Sequence, residues 1–168
     1  MRMRRRARRH RIGVALLGAA ALLVSGCGGS GGDDADEPAT KAQFVTQAAA
    51  VCRDVKQAHQ PHAEKVDQLP EGAGLERVAP LLEATLEQSR TGLARLRALD
   101  SPAADKRAID AYYGAAEKLL EAHAELADAA RTNDRAKGEK VAATVEALSD
   151  DERRLAAAYG LKHCDDVF

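Results

Sequence analysis

An all-α fold, an antiparallel up-down-up-down four-helix bundle with kinked helices and one closing disulfide, is what the sequence predicts. Three observations predict it. From about Lys41 onward the apolar residues recur every three or four positions, the breaks between these stripes are short, and two cysteines stand near the two ends of the helical part. The chain has 168 residues with 25 Lys and Arg against 26 Asp and Glu, which suits one domain. No apolar stretch approaches the roughly 20 residues of a membrane span, so a multi-pass channel or transporter is excluded.

The first stripe is Phe44, Ala48, Val51, Val55, Ala58, His62, Val66 and Leu69, and the second is Leu75, Val78, Leu82, Leu86, Ser89, Leu93 and Leu96. Pro61 and Pro80 remove helical donors and crowd the preceding turn, so both helices are expected to bend or split there. Ser101 and Pro102 read as N-cap and first residue of a third helix through Ile109, Tyr112, Ala116, Leu119, His123 and Leu126. Thr132 or Asn133 is the expected cap of a fourth helix, which carries Val141, Val145, Leu148, Leu155 and Tyr159. Gly160 suits its C′ position, with Leu161 as the apolar follower. Gly138 weakens this helix, and Ser149 with Glu152 reads as a capping box at which it restarts. Alanine supplies 36 residues, which favours helix but gives a shallow core.

The first 26 residues carry a different signal. Seven arginines lie between residues 2 and 11, and a short apolar run, Ile12 to Val24, follows. That is the layout of a secretory signal peptide. Its end, Val24-Ser25-Gly26-Cys27, resembles the lipobox of bacterial lipoproteins, which implies diacylglycerol on Cys27 and cleavage before it. Residues 27–39, rich in Gly and Asp, read as a flexible tether, and residues 40–168 as the helical domain. The carboxylates at Asp33, Asp34 and Asp36 lack the spacing of a calcium loop. Taking the seven leader arginines from the 25 basic residues leaves 18 against 26 acids, so the mature chain is acidic. It has no basic stripe and few aromatics, and no nucleic-acid partner is expected.

With Cys27 consumed by lipid, Cys52 and Cys164 remain, an even number in an exported chain. The start of the first helix and the end of the fourth meet at one end of such a bundle, so a structural disulfide between them fits the topology. It requires the segment after Gly160 to fold back along the first helix, because Cys52 lies about 16 Å in from Lys41. A redox or metal role for the two thiols is the alternative, but no Cys-x-x-Cys pair is present.

Histidines are the remaining candidates for chemistry. His59 and His62 flank Pro61, and His123 lies on the inner stripe of the third helix, so the three are weak candidates for a zinc or copper site. The structural alternative leaves His59 exposed and His62 and His123 half-buried against carbonyls or carboxylates. The acids Asp110, Glu117, Glu121, Glu125 and Asp128 follow one solvated side of the third helix, and Arg90, Arg95 and Arg97 suit the C-terminal dipole of the second. No nucleophile elbow, P-loop, dinucleotide fingerprint or zinc-protease motif occurs, and no enzyme activity or cofactor is expected.

The lipobox, the polar tether, Lys41-Ala42-Gln43-Phe44 shortly before Cys52, Leu99-Asp100-Ser101-Pro102, and the ending Gly160-Leu161-Lys162-His163-Cys164 together resemble small helical lipoproteins of high-GC Gram-positive bacteria. The resemblance covers essentially the whole chain. It implies a disulfide-closed helical domain on the outer face of the cytoplasmic membrane, and it brings no agreed activity or catalytic residues. The expected partners are the membrane, through the lipid on Cys27, and another envelope protein or a small ligand.

Overall fold

Thr40 starts the first helix: its hydroxyl accepts from the Gln43 N–H at 3.3 Å, and Gln43 Oε1 accepts from the Thr40 N–H at 2.8 Å. This reciprocal capping box satisfies two otherwise orphaned donors. In the computed structural model, which describes residues 38–165 and 167–168, the chain then forms α1 (Lys41–Asp67), α2 (Leu75–Arg97), α3 (Lys106–Arg131) and α4 (Arg135–Tyr159). A single 3₁₀ turn, Ala103–Asp105, precedes α3. Short connections make successive helices antiparallel neighbours, and the result is the predicted four-helix bundle. The segments read as leader and lipobox, Cys27 included, and most of the segment read as a tether lie outside the described residues.

The prolines split neither helix. α1 runs unbroken through Pro61 and α2 through Pro80. Each proline removes one backbone bond, to Gln57 and to Glu76 respectively. Both prolines and both partner residues are exposed, where water can take the freed carbonyl. Three further expectations need correction. Pro102 caps the 3₁₀ turn rather than opening α3, which begins four residues later. Asp134, not Thr132 or Asn133, caps α4 by accepting from the Lys137 N–H at 2.9 Å. Asn133 instead closes α3: at φ 52° it takes the left-handed C′ position, with Asn133 N–H to Ala130 O at 3.1 Å and Asp134 N–H to Ala129 O at 2.9 Å.

The third concerns α4, which does not restart at Ser149. Glu152 sits in mid-helix, 1% exposed, on the same face as Leu148, Leu155 and Tyr159. Gly160 ends α4 as its sequence suggested, at φ 100°, with Leu161 N–H donating to Ala156 O at 2.8 Å and Gly160 N–H to Ala157 O at 3.2 Å. Only a residue without a Cβ takes that backbone conformation at no steric cost.

Phe44, Ala48, Val51 and Val55 of α1 are buried against Leu86, Leu93 and Leu96 of α2 and Ile109, Tyr112, Ala116 and Leu119 of α3. The apolar stripe of α1 stops there. Val66 is 38% exposed, so the last turns of α1 reach beyond the core. α1 and α4 meet at one end, where Phe44 stands edge-on to Tyr159 at 5.9 Å and the Lys41 ammonium lies 4.2 Å from the Tyr159 ring centre.

The rest of the core is completed by the last eight residues. Cys52 and Cys164 form the disulfide, Cα to Cα 5.1 Å, and Cys164 Sγ lies 3.8 Å from the Ala48 carbonyl oxygen. The segment after Gly160 therefore does return along α1. Leu161, Cys164, Val167 and Phe168 are all buried, and the Phe168 ring packs edge-on to Tyr112 at 6.5 Å.

Surface charges reinforce the helix corners. Arg95 bridges to Asp54 of α1 at 2.7 Å and Arg97 to Glu117 of α3 at 2.6 Å; exposed pairs of this kind contribute about 0–1 kcal/mol. Asp128 gathers Lys137 and Arg131 at the α3–α4 corner, and these cations hold its carboxyl below the usual carboxylate range.

Glycine substitutions give opposite expected results at two kinds of site. At Gly114 an added Cβ meets nothing within 4 Å, and at Gly138 only the Ala129 Cβ at 3.9 Å. Both glycines lie in helix interiors, so Gly114→Ala and Gly138→Ala are each expected to stabilise by about 0.5–1 kcal/mol, read from urea unfolding. Gly92 is buried where α2 crosses α1, and a Cβ there collides with Val55 Cγ2. Val55 is β-branched and stiff, so Gly92→Ala is expected to destabilise by about 1–3 kcal/mol in the same assay.

Candidate functional site

The histidines separate into two groups. His59 of α1 and His123 of α3 line one cavity of about 230 Å³ together with Leu82, Thr85, Leu86 and Ser89 of α2 and Val167 and Phe168 of the tail. His62, one turn beyond His59, is turned instead to Gln88, whose Nε2 lies 3.1 Å from His62 Nε2. His62 Nδ1 and Gln88 Oε1 are buried without a hydrogen-bond partner among the described residues. His163 is exposed. Among the described residues no three His, Cys, Asp or Glu side chains are grouped to hold a metal ion.

His59 is half-buried rather than exposed, and a relay explains its position. Its Nε2 is 3.2 Å from Ser89 Oγ, and Ser89 Oγ donates to the Val167 carbonyl at 3.3 Å. A hydroxyl has one proton. When Ser89 donates to Val167, His59 Nε2 must be the donor to Ser89, which assigns the neutral imidazole its Nε2–H tautomer. One chain of bonds thus connects α1, α2 and the tail. His123 comes from the third side, and no hydrogen bond to a described residue holds its ring.

Burial pushes both imidazoles below the ordinary histidine value of 6.5. For His59 the nearby His62 adds to the effect while the Thr85 backbone opposes it, and for His123 the nearby His59 adds. The folded chain therefore favours the neutral rings, and the unfolded chain binds more protons between the folded values and 6.5. Stability is fully present above that range and declines as pH falls through about 6.5 toward the folded values. Urea midpoints measured from about pH 7.5 to 5.5 are expected to show this decline, and the His59→Gln, His123→Gln double variant to flatten it.

An apolar groove adjoins the cavity. It has a volume of about 390 Å³ and is walled by Leu75, Val78 and Leu82 of α2, Leu126 and Ala130 of α3 and Ala142 of α4, with Arg135 and Glu139 beside them. Leu82 belongs to both spaces. Val78, Leu82, Leu86 and Ser89 step along one face of α2, and His123 and Leu126 are three apart on α3, so cavity and groove follow one another along the α2–α3 seam.

Glu152 is the buried ionisable group that sequence reasoning placed wrongly. Burial first, then its carboxylate, push the Tyr112 phenol far above its usual range. Its spacing of four from Leu148 and three from Leu155 put it on the apolar stripe, a signal that competed with the capping-box pattern. The acids Asp110, Glu117, Glu121 and Glu125 of α3 are exposed, as their position on a wet face implied.

Comparison of the chain with protein-family models, curated proteins and solved structures found no match. Among the described residues no helix is long and apolar enough to cross a membrane.

Proposed function

We propose that this chain is a lipoprotein held through Cys27 on the outer face of the cytoplasmic membrane, where its bundle is a non-enzymatic binding module of the cell envelope. The order of parts carries the reading: an arginine-rich apolar leader ending in Val24-Ser25-Gly26-Cys27, a Gly/Asp tether, and then a domain cross-linked by Cys52–Cys164. Disulfides persist in oxidising compartments, which supports export. Two acyl chains, at roughly 0.8 kcal/mol per buried methylene, suffice to hold such a domain at a bilayer. The lined space between α1, α2, α3 and the tail supports a small ligand over a purely structural role.

A metal-binding role for His59, His62 and His123 has less support, since His62 is turned to Gln88 and does not line the cavity shared by the other two. Intact-mass analysis of the protein from membranes tests the main reading. The expected species begins at Cys27, carries the mass of its acyl chains and has both remaining cysteines oxidised. An unacylated chain that keeps its leader would overturn the anchoring. A turnover abolished by substituting His59 or His123 would overturn the non-enzymatic role.

A further inference from the structure

We infer that the α2–α3 seam binds an uncharged amphiphile, with its polar head against His59, Ser89 and His123 and its hydrocarbon chain over Leu82, Val78 and Leu126. This deepens the binding-module reading and rests on it, but it does not depend on acylation of Cys27.

The two ends of the seam differ in chemistry. At one end two imidazoles and the hydroxyls of Thr85 and Ser89 face a shared cavity, and among the described residues no Lys, Arg, Asp or Glu lines it. His59 and Ser89 are already joined, whereas the His123 ring is held by no described residue and remains available as donor or acceptor. A charged head placed there would lose its hydration without meeting a counter-charge, which is far more costly than burying a hydroxyl that finds hydrogen bonds. Burial favours the neutral form of both rings, so in the empty cavity they supply hydrogen-bond direction rather than net charge.

The other end is walled by aliphatic side chains, and its two charges, on Arg135 and Glu139, are of opposite sign. Leu82 joins the two spaces. From Ser89 to Leu75 the seam follows fourteen residues of helix, about 21 Å. That is enough for a hydrocarbon chain laid along it, and the area such a chain removes from water drives binding.

The test uses the full chain carrying Cys27→Ser, labelled at histidine and titrated at neutral pH with 1-decanol, decanoate or decylammonium while the imidazole resonances are followed. Cys27→Ser removes the acyl graft and the need for detergent, so failure here leaves the mass-spectrometric test of anchoring untouched. Decanol is expected to shift the His59 and His123 resonances and to bind at least about tenfold more tightly than either charged probe. Ala142 is exposed, so Ala142→Trp blocks the groove without disturbing the core, and it is expected to weaken decanol about tenfold or more. His123→Phe is expected to abolish the shift at His59. Equal or tighter binding of decanoate or decylammonium overturns the inference. So does a decanol titration that moves neither histidine, or an Ala142→Trp variant that binds decanol unchanged.

Discussion

Replacing Cys52 and Cys164 together by serine is expected to lower the unfolding free energy by about 4 kcal/mol. The bond closes 112 residues, almost the whole helical domain, and in the chain-entropy picture its stabilisation grows with the logarithm of that loop. A shallow, alanine-rich core makes the loss a large share of the total, because native domains are stable by only about 5–15 kcal/mol. Urea unfolding of the oxidised parent, the reduced parent and the double-serine variant measures it. Reduction and substitution should agree. A difference below about 1 kcal/mol would show that the tail stays docked without the bond and that the cross-link constrains little in the unfolded chain.

Phe168→Ala is the second large effect, about 3 kcal/mol. The ring is 6% exposed, packs edge-on to Tyr112 and forms part of the wall of the histidine cavity. Truncating a buried phenylalanine removes transfer free energy and leaves a void; the usual range is about 3–5 kcal/mol, and the cavity beside it favours the lower end. The effect has a second signature. Phe168 and Cys164 secure the same eight residues, so the two substitutions should not add: in the double-serine background Phe168→Ala is expected to cost less than in the parent. Full additivity, measured in a double-mutant cycle, would mean that the ring and the bond secure the tail independently.

The helices were legible because each carries its own periodic stripe. Phe44, Ala48, Val51 and Val55, or Leu86, Leu93 and Leu96, need no knowledge of their partners to be recognised as one face. Gly160 was legible for a local reason too, since only the left-handed position after a helix uses it that way. The pairing of Cys52 with Cys164 followed from counting thiols and from the topology together.

What was missed depends on contacts between distant residues or on competition between local signals. Pro102 suits a first helical position, yet it caps a 3₁₀ turn ahead of α3. Glu152 satisfies a capping pattern with Ser149, but α4 continues because Leu148 and Leu155 are half-buried and Ala156 buried on the same face. His59 looked exposed because its cover comes from Ser89, thirty residues on, and from Val167, at the far end of the chain. Val167 and Phe168 lie in a segment too short to show any period, so nothing local marked them as core. The cavity inherits this difficulty: three helices and the tail each supply part of its wall.

The bond between residues 52 and 164 also orders events in time. Chains emerge from the ribosome N-terminus first, and domains tend to fold as they become available. Here all four helices exist in full before the residue that locks the first of them has been made, so the Phe44 face of α1 stays without its cross-link until the last few residues follow.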